Sequence, residues 1–398
     1  MKTRTYGVRL CGTLWAMTLV AFGVTGDLMR LKILPALAAL HDKGALPASM
    51  RIIGLSRRPW SDEELREHVQ DVLPEAPEAF LSRFTFLQGD ATEPTTFTTL
   101  ARALEGDDAL IYLSLAPTLY RNVFAHMQQT GFAEREGRTA VMVEKPFGTS
   151  GADAEELYAQ LQKVVAQQNI YLVDHYLAKD WIRSLGELSV PREDIAQIHL
   201  YLWENLGVEK RGALYDQLGA LRDVGQNHLL QALAHLLARA PTPLARAEAL
   251  EQLPLLDPAL SVSHALRAQY AGYRDTEGVG PASETETYFR VHTILRLPGW
   301  EGVKVVLEAG KRLPRSRKEV ELTLKDGRTI TLAERPNAID EYETLLSAAL
   351  MGDQSLFVSM REVRAQWRFA DAILAAWATG TPKLISYPPG TLPSPDSA

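Results

Sequence analysis

Apolar and polar positions fall into blocks along the chain, and the blocks change texture near its middle. The run Thr18-Leu19-Val20-Ala21-Phe22 is continuously apolar, as a strand covered on both faces would be. Leu28 to His41 follows as a helix, and Arg51-Ile52-Ile53-Gly54-Leu55 as a second strand. Ser61 with Glu64 three residues later forms a capping-box pattern, predicting a helix that carries Leu65, Val69 and Val72 on one face. Asp108 to Leu115, Thr139 to Val143 and Ile170 to Val173 read as further strands, and Ala152 to Gln168 as an amphipathic helix. Strands alternating with helices predict a doubly wound α/β domain over residues 1–173.

Residues 174–398 have a different pattern. Ile198 to Trp203, Tyr288 to Leu297, Val303 to Leu307 and Val320 to Leu324 are β-rich, and Asp326-Gly327 marks a hairpin into Thr329 to Leu332. Helices are predicted at Asp223 to Arg239, Tyr342 to Met351 and Arg361 to Trp377. Together they predict a mixed α+β domain with a largely antiparallel sheet. The tail from Tyr387 holds four prolines and reads as irregular. No internal repeat or low-complexity linker interrupts the chain.

Composition narrows the function. The chain of 398 residues carries a formal net charge of −7 and no long basic block, which excludes general nucleic-acid binding. An anionic ligand must therefore be held by a few local cations. Cys11 is the single cysteine, so neither a disulfide within the chain nor a cysteine zinc site is available, and a reducing, cytoplasmic setting is the expectation. Lys2, Arg4 and Arg9 before the uncharged stretch Leu10 to Gly26 imitate a secretory signal. No small-residue cleavage site closes that stretch, and the strand reading is preferred. No later segment is long and apolar enough to span a membrane.

The strand Thr18–Phe22 runs into FGVTGDL. A glycine turn between strand and helix offers backbone N–H groups to a pyrophosphate, as in Rossmann-like folds, although only Gly23 and Gly26 of the three-glycine fingerprint are present. The second strand ends in Leu55-Ser56-Arg57-Arg58, where an NAD enzyme would carry an acid. Arginine can accommodate a 2′-phosphate there, so NADP is the expected cofactor.

These residues and others in order carry a family resemblance. GVTGDLMRLKILPAL, EKPFG (Glu144 to Gly148), DHYLAKD (Asp174 to Asp180), RDVGQNHLLQ (Arg222 to Gln231), GKRLP (Gly310 to Pro314) and GDQSLFV (Gly352 to Val358) resemble the glucose-6-phosphate dehydrogenase family over most of the chain. The resemblance implies oxidation of glucose 6-phosphate at C1 to the lactone, with hydride passing to NADP, as in the pentose phosphate pathway. Alternatives are the same chemistry on another sugar phosphate, or a weakly active paralogue that binds NADP or sugar phosphate.

By the same resemblance His228 is the base and Asp174 its dyad partner. On its residues alone His228 reads as a core histidine on an apolar helix, as His235 does one heptad later. Asp223 lies five residues before His228, about 140° away around an α-helix, and matches a substrate-hydroxyl contact instead. His175, Tyr176 and Lys179 match the phosphate grip, chemically suited to a dianion. Glu204, Lys311 and Lys145 match further substrate contacts, Lys145 also reaching the cofactor beside a Pro146 whose peptide bond can be cis. Gly23, Thr25, Gly26, Asp27, Leu28, Arg57 and Ser114 complete the implied cofactor contacts. No metal is called for, because side chains suffice to hold phosphate and hydroxyls; a homodimer is left open.

Several positions depart from the family pattern. Ala178 and Asp180 replace a glycine and a glutamate, Lys210 and Leu214 a glycine and a tyrosine, and Ser316 a cation that Arg315 or Arg317 could replace. Sequence is also missing between the Asp326-Gly327 hairpin and Tyr342, in the sheet that supports dimerisation in the family.

Overall fold

The computed structural model describes residues 17–394 other than 105, 133, 134, 136, 189 and 255–264. Cys11 and the signal-like residues before Met17 lie outside them. The apolar run forms β1 (Met17–Phe22), buried from Thr18 onward. β2 (Arg51–Ser56) and β4 (Asp108–Leu113) flank β1 in parallel, Val20 standing opposite Ile53 and Ile111. With β3 (Phe84–Gln88), β5 (Thr139–Val143) and β6 (Ile170–Leu172) they form a sheet of order β3-β2-β1-β4-β5-β6. That is the doubly wound order, with its reversal between β1 and β4. Ser61 and Glu64 make the predicted capping box on helix Asp62–Val72.

The pattern missed β3 and the helices Pro94–Leu104 and Tyr120–Gln129. β3 pairs with β2 alone and is only partly buried, so its apolar signal is weak. The predicted helix Ala152–Gln168 is shorter, Gly151–Leu161, and a separate tight turn at Gln167–Asn169 leads into β6.

The chain resolves into two compact units: residues up to Leu115 with Asn122–Met142 and Lys163–Ile170, and Ala116–Arg121 with Val143–Gln162 and everything from Tyr171 onward. Helix Gly151–Leu161 belongs to the second because its start is tied to helix Met360–Ala378: Gly151 N donates to Asp371 Oδ2 at 2.9 Å and Trp367 Nε1 to Phe147 O at 3.1 Å.

In the second unit β7 (Ile195–Trp203), β8 (Ala265–Tyr270), β9 (Tyr288–Ile294), β10 (Lys304–Gly310), β11 (Arg317–Leu324), β12 (Thr329–Ala333) and β13 (Ile385–Tyr387) form a sheet of order β12-β11-β7-β10-β9-β8-β13. It is largely antiparallel, with β10–β7 and β13–β8 parallel. Alternation along β7 sends Ile198, Leu200 and Leu202 into one core with Leu229, Leu233 and Leu237, and Tyr201 and Trp203 into a second with Tyr270 and Tyr288.

The helix bearing His228 starts earlier than predicted and is not uniformly α. Gly212–Ala220 leads into a wide π-helical stretch, Leu221–Leu229, and then α-helix Leu230–Leu237. The break before the wide stretch is at Gly219, where φ is +72° and an added Cβ would lie 2.4 Å from Glu286 Oε1. That carboxylate accepts Leu221 N–H at 2.9 Å, capping the helix from another part of the chain.

Candidate active site

The glycine loop belongs to the first unit. Gly23 has φ +69°, and a Cβ there would meet Ser114 O at 2.4 Å, so only glycine fits between the ends of β1 and β4. Gly23 N donates to Leu55 O at 2.9 Å and Gly26 N to Gly23 O at 2.8 Å, closing a tight turn into the helix that begins at Asp27. The first N–H groups of such a helix lack intrahelical partners and suit a dinucleotide phosphate. Thr25 and Leu28 are half-buried in this turn, while Asp27 is largely exposed and pairs with Arg30 at 3.3 Å. Arg57 is exposed just beyond β2. The glycine cradle and the exposed guanidinium fit the expected dinucleotide, which Gly23, Thr25, Gly26 and Leu28 would hold at its phosphates and Arg57 beyond them.

The other predicted residues lie in the second unit. Asp174 stands two residues past β6, where its Oδ1 accepts Tyr176 N–H at 3.0 Å. The same oxygen lies 2.6 Å from Nδ1 of His228, and both side chains are almost fully buried. Tyr176 stacks on the His228 ring at 4.0 Å between centroids, and His175 meets it edge-on at 4.7 Å. Burial would raise the Asp174 carboxyl, but the charge and hydrogen bond of His228 bring it down to about 2. Burial pushes His228 below its ordinary value, and Asp174 opposes that shift. The ring's Nδ1 is committed to a carboxylate.

Asp223 is the hub of a cationic cluster. Lys145 Nζ donates to its backbone O at 2.9 Å and lies 3.4 Å from Oδ1, while Arg211 at 3.4 Å and Lys311 at 3.7 Å approach Oδ2. Burial works against its ionisation, yet Lys145, Lys311 and Arg211 hold the carboxyl far below the usual carboxylate range. Lys311 also bonds Glu204, and the Lys145–Pro146 bond is cis. The α-helical geometry assumed for Asp223 and His228 needs correction. Leu230 N donates to Gly225 O, five residues back, so the stretch winds wider than an α-helix. Five residues then span about one turn, and Asp223 shares more of the His228 face than 140° implies. The partner of Nδ1 is nonetheless Asp174.

The phosphate-grip candidates His175, Tyr176 and Lys179 form one turn, but Lys179 Nζ is already engaged, 2.8 Å from Glu334 Oε1. Arg317 does not stand in for a cation at Ser316: it pairs with Glu319 and Glu321 and lies over the Tyr201 ring at 3.4 Å. Ser316 Oγ itself donates to Asn205 Oδ1 at 2.9 Å. His235 is buried as expected, and burial pushes it down to about 3; its Nε2 has no hydrogen-bond partner among the described residues.

Sequence reasoning missed Arg211, Glu334 and Tyr342, whose ring lies 5.9 Å from His175. Arg211, eleven positions before Arg222, had only its place ahead of the helix as a signal. Asp174, His175 and His228 present ligand atoms within 4.8 Å of one another, a set that could hold a metal ion if the dyad bond opened. A small cleft lined by Lys145, Phe147, Asp174, Asn227 and Val363 borders the dyad.

A sheet in dinucleotide-binding order, with a second unit built on a largely antiparallel sheet, defines a two-part oxidoreductase architecture. Residues 20–184 match the NAD-binding domain of glucose-6-phosphate dehydrogenase, and residues 185–339 and 329–398 match its C-terminal domain. The chain belongs to the glucose-6-phosphate dehydrogenase family. It is 30% identical to the glucose-6-phosphate 1-dehydrogenase of Helicobacter pylori strain J99 over 93% of this chain and 95% of that one. A solved glucose-6-phosphate 1-dehydrogenase from Mycobacterium avium superposes with a TM-score of 0.79 at 29% identity, covering 95% of this chain and 94% of that one. Another, solved in complex with its substrate glucose 6-phosphate, gives a TM-score of 0.82 at 25% identity over 96% of both. No helix among the described residues is long and apolar enough to cross a membrane.

Proposed function

We propose that the protein oxidises glucose 6-phosphate at C1 to the lactone with NADP, His228 taking the hydroxyl proton. The observation that carries this reading is the 2.6 Å contact between His228 Nδ1 and Asp174 Oδ1. It commits one ring nitrogen and leaves Nε2 as the acceptor, while the carboxylate stabilises the imidazolium that forms. Lys145 and Lys311 beside Asp223, with Glu204 bonded to Lys311, are groups able to hold sugar hydroxyls, and His175, Tyr176 and Lys179 supply donors for the phosphate. Bound NADP supplies the two-electron acceptor at its nicotinamide ring. The chain's own part is to orient the sugar and accept its proton. Arg57 favours NADP over NAD, because a guanidinium pairs with a 2′-phosphate and gives nothing specific to free ribose hydroxyls. A cytoplasmic setting and a homodimer complete the proposal.

The test is cofactor reduction, followed by absorbance, over a panel of sugar phosphates with NADP and NAD. Glucose 6-phosphate with NADP should give the highest kcat/KM. The altered positions Ala178, Leu214 and Ser316 favour a second reading, the same chemistry on another sugar phosphate, which the same panel would reveal. Sedimentation of the purified protein checks the dimer.

A further inference from the structure

We propose that Glu334 is a specificity-determining residue that competes with the substrate phosphate for Lys179, so that substrate enters by exchanging one anion for another. The inference rests on the reading of His175, Tyr176 and Lys179 as the phosphate grip.

Glu334 directly follows β12, and its backbone N–H donates to Lys318 O at 2.8 Å. Its Oε1 lies 2.8 Å from Lys179 Nζ and its Oε2 3.2 Å from Lys318 Nζ. Partial burial opposes ionisation of Glu334, but the two lysines hold the carboxyl below its ordinary value. The carboxylate is therefore charged, and it faces the ammonium on which a phosphate would draw. The short stretch after it is fastened to the same motif. Asn337 Oδ1 accepts Asp180 N–H at 3.0 Å, Asn337 Nδ2 reaches Ala178 O at 3.4 Å, and Ala338 N donates to Asp180 Oδ2 at 2.9 Å. The connection after β12, fastened to this motif, seats a carboxylate on the grip lysine.

Two anions cannot both claim one ammonium without mutual repulsion, so an arriving dianion must draw Lys179 away from Glu334 or share it at a cost. Lys318 gives the displaced carboxylate a second partner, which makes the exchange feasible. A neutral sugar has no means of driving it.

The experiment is a double-mutant cycle with Glu334→Gln, Lys179→Ala and the double variant, in the full chain. Glu334→Gln should lower KM for glucose 6-phosphate, and Ki for inorganic phosphate as competitor, about three- to fivefold, the scale of a partly exposed ion pair. The kcat/KM for unphosphorylated glucose at high concentration should change far less, a split that general loosening of the site would not produce. In the Lys179→Ala background the effect of Glu334→Gln should vanish. If Lys179→Ala raises KM but Glu334→Gln leaves it unchanged or raises it, the exchange is wrong and the grip survives. If Lys179→Ala leaves KM unchanged, the grip itself is wrong. Glu334→Ala repeats the test with no side-chain amide to bond the lysine.

Discussion

Nδ1 of His228 stands 2.6 Å from Oδ1 of Asp174, inside a pocket that buries both side chains. The contact fixes the tautomer of the ring, and its consequences can be measured.

His228→Asn keeps shape and polarity but cannot accept a proton at neutral pH. Turnover should fall by about 10²–10⁴-fold, the usual contribution of a positioned base. Binding of sugar phosphate and of NADP, followed by calorimetry, should change much less. Parental turnover in a folded His228→Asn protein would place the base elsewhere.

The pH profile tests the same pair. A base works only when neutral, and burial lowers the tendency of His228 to protonate while Asp174 raises it. The acid limb of kcat/KM should therefore lie below the ordinary histidine value. Asp174→Asn removes the opposing charge, so the limb should move to still lower pH while the plateau drops. A limb that moves upward would mean that Asp174 does not act on His228.

The proposed preference for NADP rests on Arg57, exposed beyond β2. Arg57→Ala should raise KM for NADP by about tenfold, the loss of one charge-assisted contact of roughly 1.5 kcal/mol. KM for NAD should change less than twofold. Equal effects on both cofactors would remove Arg57 from the 2′-phosphate site.

Glu286 caps the helix that carries His228 by accepting Leu221 N–H at 2.9 Å, and no cation pairs with its carboxylate among the described residues. Burial pushes it up to about 7, against weaker lowering by the Leu221 N–H, Arg222 and Arg267. Its folded value lies above that of the unfolded chain, so its stabilising contribution is full below about pH 4.3 and lost as pH rises towards 7. Glu286→Gln should therefore stabilise more at pH 8 than at pH 5, by about 2–3 kcal/mol. Denaturant melts of both proteins at the two pH values would show it; a pH-independent difference would contradict the shift.

Arg246 and Glu362 form a fully buried pair at 2.7 Å, and Arg246 also donates to Ser355 O and Phe357 O. Arg246→Leu leaves a buried carboxylate and two carbonyls without that partner. It should cost about 3–5 kcal/mol, read as a drop in Tm with kcat little altered in the protein that remains folded.

Much of the first unit was legible because its physics is local. A strand buried on both faces is apolar throughout, and a capping box needs only Ser61 and Glu64. β3 escaped notice because an edge strand buries one face weakly, leaving Phe84 to Gln88 without a clear alternation. The π-helical stretch from Leu221 to Leu229 was also illegible, since its widening goes with a carboxylate delivered by Glu286, far along the chain.

By itself the sequence determined the doubly wound α/β class of the first unit, the glycine turn at Gly23 and, through its motifs, the family. These are properties of short segments, where spacing and residue type set backbone conformation directly. Tertiary structure decided which charges meet: Asp223 with Lys145 and Arg211, Glu334 with Lys179, and Asp174 with His228, a pairing the sequence implied only through its family resemblance. Pairing of that kind depends on the path of the chain between the partners. Lys179 and Glu334 are separated by 155 positions, and no local pattern encodes a contact of that span.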